Sequence, residues 1–335
     1  MIGFVRFAMV ASFICIAFVI SHAQKVAKNP EIVSPRSYNA PVIEASPALQ
    51  IILNNAVNET LATFASKGFK PDEIAATLID LRDPNKFQMA EVRGNQRIYP
   101  ASVVKMFYMA ALERQLEDNK IVMTTELTRG LRDMIVDSSN EATQYILDVI
   151  TDTSSGAELP QKQFETWQNK RNRVNRYFAS MGYSNINVNQ KTFCEDAYGI
   201  EQQSRKYKGE NRNMLTTDAV ARLLAEIVTG RIASPEKTKM MMDMMKRDPY
   251  GKAADADDQN NGFTGKLFID RNIHDVKLWS KAGWTSKTRH DAAYVEYAGL
   301  KFVLAVFTEN HANERDVIPS IAGRVIDAMK QNGAF

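Results

Sequence analysis

The chain has 335 residues, 44% of them hydrophobic, two cysteines, and a formal net charge of +3 from 42 basic and 39 acidic side chains. That balance excludes the strongly basic surface of a nucleic-acid or anionic-membrane binder, and no low-complexity tract or internal repeat points to an array. A chain of this length buries a sizeable core, as one large domain or two intimate subdomains.

The first element is an apolar run over 7–20, preceded by Arg6 and followed by Ser21-His22-Ala23. It is short for a bilayer span and carries small residues where a signal peptidase reads, so residues 1–23 are expected to be a cleaved secretory signal, with an uncleaved anchor as the alternative. Cys15 would leave with it, and the exported chain would keep only Cys194 and hold together by its core, without a disulfide. Residues 24–47 are polar and contain Pro30, Pro35, Pro41 and Pro47, the composition of a tether.

The remaining span, 48–335, is expected to be one domain. Leu49, Ile52, Leu53, Val57, Leu61 and Phe64 recur at helical spacing over 48–64. Residues 74–81 and 88–92 read as strands around the turn Asp83-Pro84-Asn85. Pro100 disfavours helix in the residue before it, and Val103, Met106, Phe107 and Ala110 then open a buried helix at Ser102. Ser102 and Lys105 are three apart, on one helical face. A lysine at that apolar opening would be desolvated toward the neutral amine that can take a proton from a serine. The plain alternative is a cap and a solvated lysine, and a second S-x-x-K, Ser234-Pro235-Glu236-Lys237, looks like an ordinary N-cap and N1 pair.

Helical patterns follow over 131–150, 163–181 and 217–228, with an aperiodic polar stretch over 185–213 that is expected to be a long functional or partly mobile loop. Residues 276–281, 292–297 and 302–307 alternate as strands, and 316–329 closes the chain as an amphipathic helix. The expected class is α+β: an antiparallel sheet built from both chain ends and flanked by helices, with a helical insertion over about 110–230.

Two more stretches bear on Ser102. Asp137-Ser138-Ser139-Asn140 places Ser138 and Asn140 at a break between helical segments, where they either face a cleft or cap the next helix. Lys281-Ala282-Gly283 ends a strand with a cation and a residue that admits close backbone approach, or is simply an edge lysine and a turn glycine. S-x-N also occurs at Ser37-Tyr38-Asn39, out of order with the rest.

The ordered set S-x-x-K, S-x-N, K-x-G resembles the three-part signature of class A β-lactamases and penicillin-binding proteins, and the likeness extends over about 48–330. The resemblance implies that Ser102 is the acylated nucleophile, Lys105 its general base, and Ser138 the relay to the departing nitrogen within the field of Lys281. It implies that Asn140 holds the substrate amide and supports Lys105, that the N–H groups of Ser102 and Trp284, beside Gly283, form the oxyanion hole, and that Arg289 binds a substrate carboxylate. A loop carboxylate would activate the deacylating water, with Glu195 or Glu201 as candidates.

There are departures from the pattern. Ser139 replaces an aspartate, Ala282 replaces Thr or Ser, the Lys105–Ser138 interval of 33 residues is short, and the loop lacks the family's glutamate motif. The expectation is an exported, monomeric serine hydrolase, periplasmic or secreted, acting on a β-lactam or D-Ala-D-Ala-like amide without metal or organic cofactor. The alternatives are a D,D-carboxypeptidase, another amidase or esterase, or a non-catalytic cell-wall binding domain.

Overall fold

The structure, a computed structural model, describes residues 31–331. The expected signal peptide and Cys15 lie outside the described residues. Among the described residues no helix is long and apolar enough to cross a membrane.

Among the described residues a seven-stranded mixed sheet runs in the order β1-β3-β2-β7-β6-β5-β4 and is flanked by eleven α-helices. Its strands are β1 (Ile43–Ala45), β2 (Ile74–Asp80), β3 (Phe87–Val92), β4 (Lys246–Arg247), β5 (Lys277–Trp284), β6 (Thr288–Tyr297) and β7 (Leu300–Glu309). All neighbours are antiparallel except β1 and β3, which pair in parallel. The central pairing, β2 on β7, joins the two ends of the chain, with Leu78 opposite Leu304.

Both faces of this sheet are buried, so the middle strands are apolar on both sides. In β7, Phe302, Leu304 and Val306 point to one core while Val303, Ala305 and Phe307 point to the other. The first core is closed by α1 (Pro47–Thr63), α10 (Thr264–Asp270) and α11 (Val317–Gln331). Helix α1 starts where Ser46 Oγ accepts the Leu49 N–H and Pro47 fills the first turn, a cap worth about 1 kcal/mol.

The second core holds α2 (Lys105–Glu117), whose residues 105–116 are all buried, packed among α3 (Thr125–Ile135), α4 (Asn140–Thr151), α6 (Arg173–Ser180), α8 (Thr217–Val228) and α9 (Pro235–Met245). Single helices expected over 131–150 and 163–181 are each two: α3 and α4 are separated at Ser138, and α5 (Gln161–Arg171) and α6 are separated at Asn172. Ser234 is the N-cap of α9, accepting the Lys237 N–H at 3.4 Å, so the second S-x-x-K is a cap as expected.

Two stretches differ from expectation. Residues 31–47, expected as a tether, are docked on the domain: Ile32 is buried, Glu31 pairs with Arg176, Tyr38 donates to Glu226 at 2.9 Å, and β1 extends the sheet. One buried apolar side chain, two long-range polar pairs and three sheet residues outweigh the prolines. The polar stretch 185–213 contains a short helix, α7 (Gly199–Arg205), and is tied down by buried amides: Asn213 pairs with the Gln190 backbone in both directions at 2.8 and 2.9 Å, and Tyr108 donates to the Gln190 carbonyl at 2.7 Å. It has no period because side-chain amides, rather than a repeating backbone ladder, hold it.

Candidate active site

The chain enters the site through Ala101, a non-glycine residue in the left-handed region (φ 46°), followed by a 3-10 turn over Ala101–Val104 that leads into α2. Ser102 is half-buried, and its hydroxyl makes no hydrogen bond to any described residue. Strand β5 closes on this turn at Gly283. A Cβ at that position would lie 2.7 Å from Ser102 N, 2.8 Å from the Pro100 carbonyl and 2.9 Å from Val103 N, so only glycine lets the backbones meet. Trp284, next in the strand, is exposed.

Lys105 is wholly buried at the start of α2, and burial pushes it down to about 7 while the nearby Cys194 thiol and Glu141 carboxylate pull the other way. Its amine donates to the Ser138 carbonyl and, at 3.0 Å, to Asn140 Oδ1. A neutral amine spends its two protons on those acceptors and keeps a lone pair for a hydroxyl proton. Ser138 Oγ lies 3.4 Å from Lys105 Nζ and accepts from Lys281 Nζ at 3.0 Å. The three fragments therefore converge, with the Ser138 hydroxyl between two amines.

The turn that does this is built locally. Ser138 is left-handed (φ 57°), and Ser139 caps α4 by accepting the Ala142 N–H at 3.0 Å. Capping thus falls to Ser139, the residue that departs from the family pattern, which leaves Ser138 and Asn140 free to face Lys105.

Lys281 is wholly buried, and burial together with the charges of Lys105 and Arg247 pushes it well below its ordinary range. Its amine nonetheless meets three acceptors: Ser138 Oγ, the Ala282 carbonyl at 2.9 Å and Gln259 Oε1 at 2.6 Å. All three lie within 3.0 Å, whereas one of the three acceptors around Lys105, Ser138 Oγ, is 3.4 Å away. Gln259 was not found from the sequence. Its amide donates to the carbonyls of Ile135 at 3.1 Å and Val136 at 2.8 Å, fastening β5 to the end of α3.

His290 was also missed. Opposite Gly283 in the register, it accepts the Thr308 N–H on Nδ1 at 3.2 Å, which assigns the Nε2 proton to the Tyr99 carbonyl at 2.9 Å and pins the strand entering Ser102. Burial lowers it to about 4, so it is neutral. Neither Gln259 nor His290 sits in a motif, and no sequence signal distinguished them.

Two expectations are corrected. Arg289 is buried and stacked over Phe263, and it donates to Asp257 at 2.7 Å and to the Gly262 carbonyl, so its guanidinium clamps the loop carrying Gln259 instead of facing a substrate. Glu201 is locked at 2.8 Å against Arg171 and bonded to Ser155, in a cluster that includes Lys191 and Asp148. Glu195 is exposed and has no partner among the described residues. The side chain by which this loop reaches the site is Cys194, whose sulfur accepts the Asn140 amide at 3.4 Å. Among the described residues no group of three or more His, Cys, Asp or Glu side chains could hold a metal ion.

A two-sided sheet with a buried S-x-x-K helix and a K-x-G strand defines a serine hydrolase of the β-lactamase and penicillin-binding type. The chain belongs to the β-lactamase enzyme family, which residues 56–329 match. Among curated proteins none matches it.

Solved structures share the fold. A β-lactamase from Sphaerobacter thermophilus is 20% identical with a TM-score of 0.58, covering 83% of this chain and 98% of that one. PBP-A is 17% identical at 0.57, covering 88% and 100%. A mutant of PBP-A described as an acyl-enzyme complex with penicillin G is 17% identical at 0.57, covering 87% and 99%. Identities this low speak for the fold alone.

Proposed function

We propose that this protein hydrolyses a β-lactam through an acyl-enzyme on Ser102. The observation that carries the reading is the Ser138 hydroxyl held between Lys105 and Lys281, with Lys105 poised to be neutral near pH 7. Ser102 Oγ attacks the lactam carbonyl carbon as its proton passes to Lys105 Nζ. The N–H groups of Ser102 and Trp284 take the charge that develops on the oxygen, an arrangement in which one donor is worth about 3 kcal/mol. The C–N bond breaks as the Ser138 hydroxyl protonates the nitrogen and is re-supplied from the lysines. Water then cleaves the ester. Asn140 holds Lys105 and the substrate amide.

A second reading, a D,D-carboxypeptidase or penicillin-binding protein with a long-lived acyl-enzyme, is favoured by one observation: the loop meets the site with the Cys194 thiol where the family resemblance calls for a carboxylate. The penicillin G acyl-enzyme described for the PBP-A mutant is compatible with either. The apolar run over 7–20 supports an exported, periplasmic or secreted protein, and we take it to act as a monomer.

Steady-state turnover of benzylpenicillin beside release of D-alanine from an acyl-D-Ala-D-Ala peptide separates the readings. Continuous lactam hydrolysis supports the first. A single burst with peptide turnover supports the second, and neither activity at any concentration contradicts both.

A further inference from the structure

A cavity of about 460 Å³ lies away from Ser102, between α5, Arg97 and the 185–213 stretch. Six amide side chains line it, those of Gln168, Asn169, Asn172, Asn187, Asn189 and Asn211, and several present an uncommitted end. Asn172 accepts from Asn175 and Asn189 on Oδ1 at 2.7 and 3.1 Å, while its amide nitrogen donates to no described residue. Gln168 is only 5% exposed; its oxygen takes the Ser204 hydroxyl at 2.6 Å and its nitrogen is left without a partner. Asn169 repeats the pattern, with Arg176 on its oxygen. The Arg97 guanidinium on the rim likewise has no partner among the described residues. Tyr207, packed against Phe164 at 5.4 Å and with the exposed Lys208 amine 5.3 Å from its ring centre, supplies an aromatic wall that a guest reaches by moving that flexible side chain.

The amides next to these are saturated by one another. The donors that remain free run from buried Gln168 through half-buried Asn172 to exposed Asn169, and leaving the buried one unmatched is costly, so the geometry suits an acceptor-rich guest. Two cations, Arg97 and Lys208, face two carboxylates, Glu165 and Glu210, which disfavours a polyanion. With one aromatic wall and no second apolar socket, the lining suits a ring carrying hydroxyl and carbonyl oxygens better than a peptide side chain.

We propose that this cavity is a binding site for a neutral oligosaccharide, gripped by the amide nitrogens of Gln168, Asn169 and Asn172 and by Arg97, with Tyr207 against a sugar face. It is separate from the acylation chemistry, although Arg97 precedes Ile98, whose bridge to Leu215 leads the chain toward Ser102.

Saturation-transfer NMR on the full chain with chitotetraose and with maltotetraose tests it, alongside Arg97→Ala and Asn172→Asp. Arg97 has no partner to lose, and aspartate keeps the oxygen that Asn175 and Asn189 use while removing the free donor. The expected result is transfer to at least one sugar, weakened fivefold or more in both variants, with thermal midpoint and acylation by penicillin unchanged. No transfer to either sugar, or binding equal in both variants and the natural chain, would overturn the proposal. Because sugar binding is read without Ser102 chemistry, failure of the site and failure of the hydrolase reading are told apart.

Discussion

Lys105 sits in a helix whose residues 105–116 are all buried, and that position is what fits it for the proposed role of base. Burial lowers it to about 7, so the fraction carrying a free lone pair rises through neutral pH. The acylation rate is expected to climb along a limb with an apparent pKa near 7 and to fall about 10²–10⁴-fold in Lys105→Ala, read by stopped-flow with a chromogenic lactam. The sign for stability is opposite to that of a salt-bridged lysine. The unfolded chain binds this proton up to about pH 10 and the folded one releases it near 7, so charged Lys105 is a cost below neutrality that is relieved as pH rises. Removing the amine relieves that cost but leaves the Ser138 carbonyl and Asn140 Oδ1 without their donor, so the thermal midpoint should stay nearly unchanged; a drop of ten degrees would make Lys105 structural. The residue pairs Ser102/Lys105 and Ser138/Asn140 were legible because their spacing carries chemistry. Gln259 was not, since an uncharged amide in a loop has no pattern until the fold brings it 2.6 Å from Lys281. Gln259→Leu should lower the acylation rate about tenfold or more by freeing Lys281 and stranding two carbonyls.

At the level of elements, the strands β2, β3, β5, β6 and β7 were readable from alternation and branching, and α1, α8 and α11 from their period. Of α9 only the N-cap was read; α7 and α10, short helices with few apolar residues, two-residue β4, and β1, three residues inside a proline-rich stretch, were missed. Arg289 was misjudged because a strand position fixes where a side chain starts and says nothing of Asp257, 32 residues earlier, arriving to pair with it. The contact between β5 and the Ser102 turn is the most sensitive junction. Gly283→Ala places a Cβ 2.7 Å from Ser102 N, so the strand must retreat and the two N–H donors separate. Acylation is expected to fall about 10²-fold or more while the chain stays folded by circular dichroism. The loop makes the complementary prediction: Cys194→Glu puts a carboxylate beside Asn140 and should speed deacylation at least tenfold, measured as loss of the adduct with time. An unchanged lifetime would mean the thiol is not what slows turnover.

Across the whole molecule the two cores meet at a sheet with no solvent face, and His290 is sealed inside it, stacked on Phe307 at 4.2 Å. Folded, it titrates at about 4, and unfolded near its ordinary 6.5, so the unfolded chain takes up the proton first as pH falls. Its contribution is complete above about pH 6.5 and is lost toward pH 4, by roughly 3 kcal/mol. Urea midpoints at pH 7.5, 5.5 and 4.5 should decline, and His290→Gln should flatten that decline. The two-ended sheet and the helical insertion were legible from the order of patterns alone. What the sequence could not display is the closeness of residues 33 to 191 positions apart, such as Lys105 with Ser138 and Tyr99 with His290, on which the site depends.

The proposed mechanism stands on Ser102 as the nucleophile of this convergence. Intact-mass and peptide-mapping spectrometry of the purified chain with benzylpenicillin, followed over time beside Ser102→Ala, measures it directly. The expected result is a single penicilloyl adduct on the peptide containing Ser102, absent from the variant. An adduct on any other residue, equal labelling of Ser102→Ala, or no adduct with any acylating probe would contradict it.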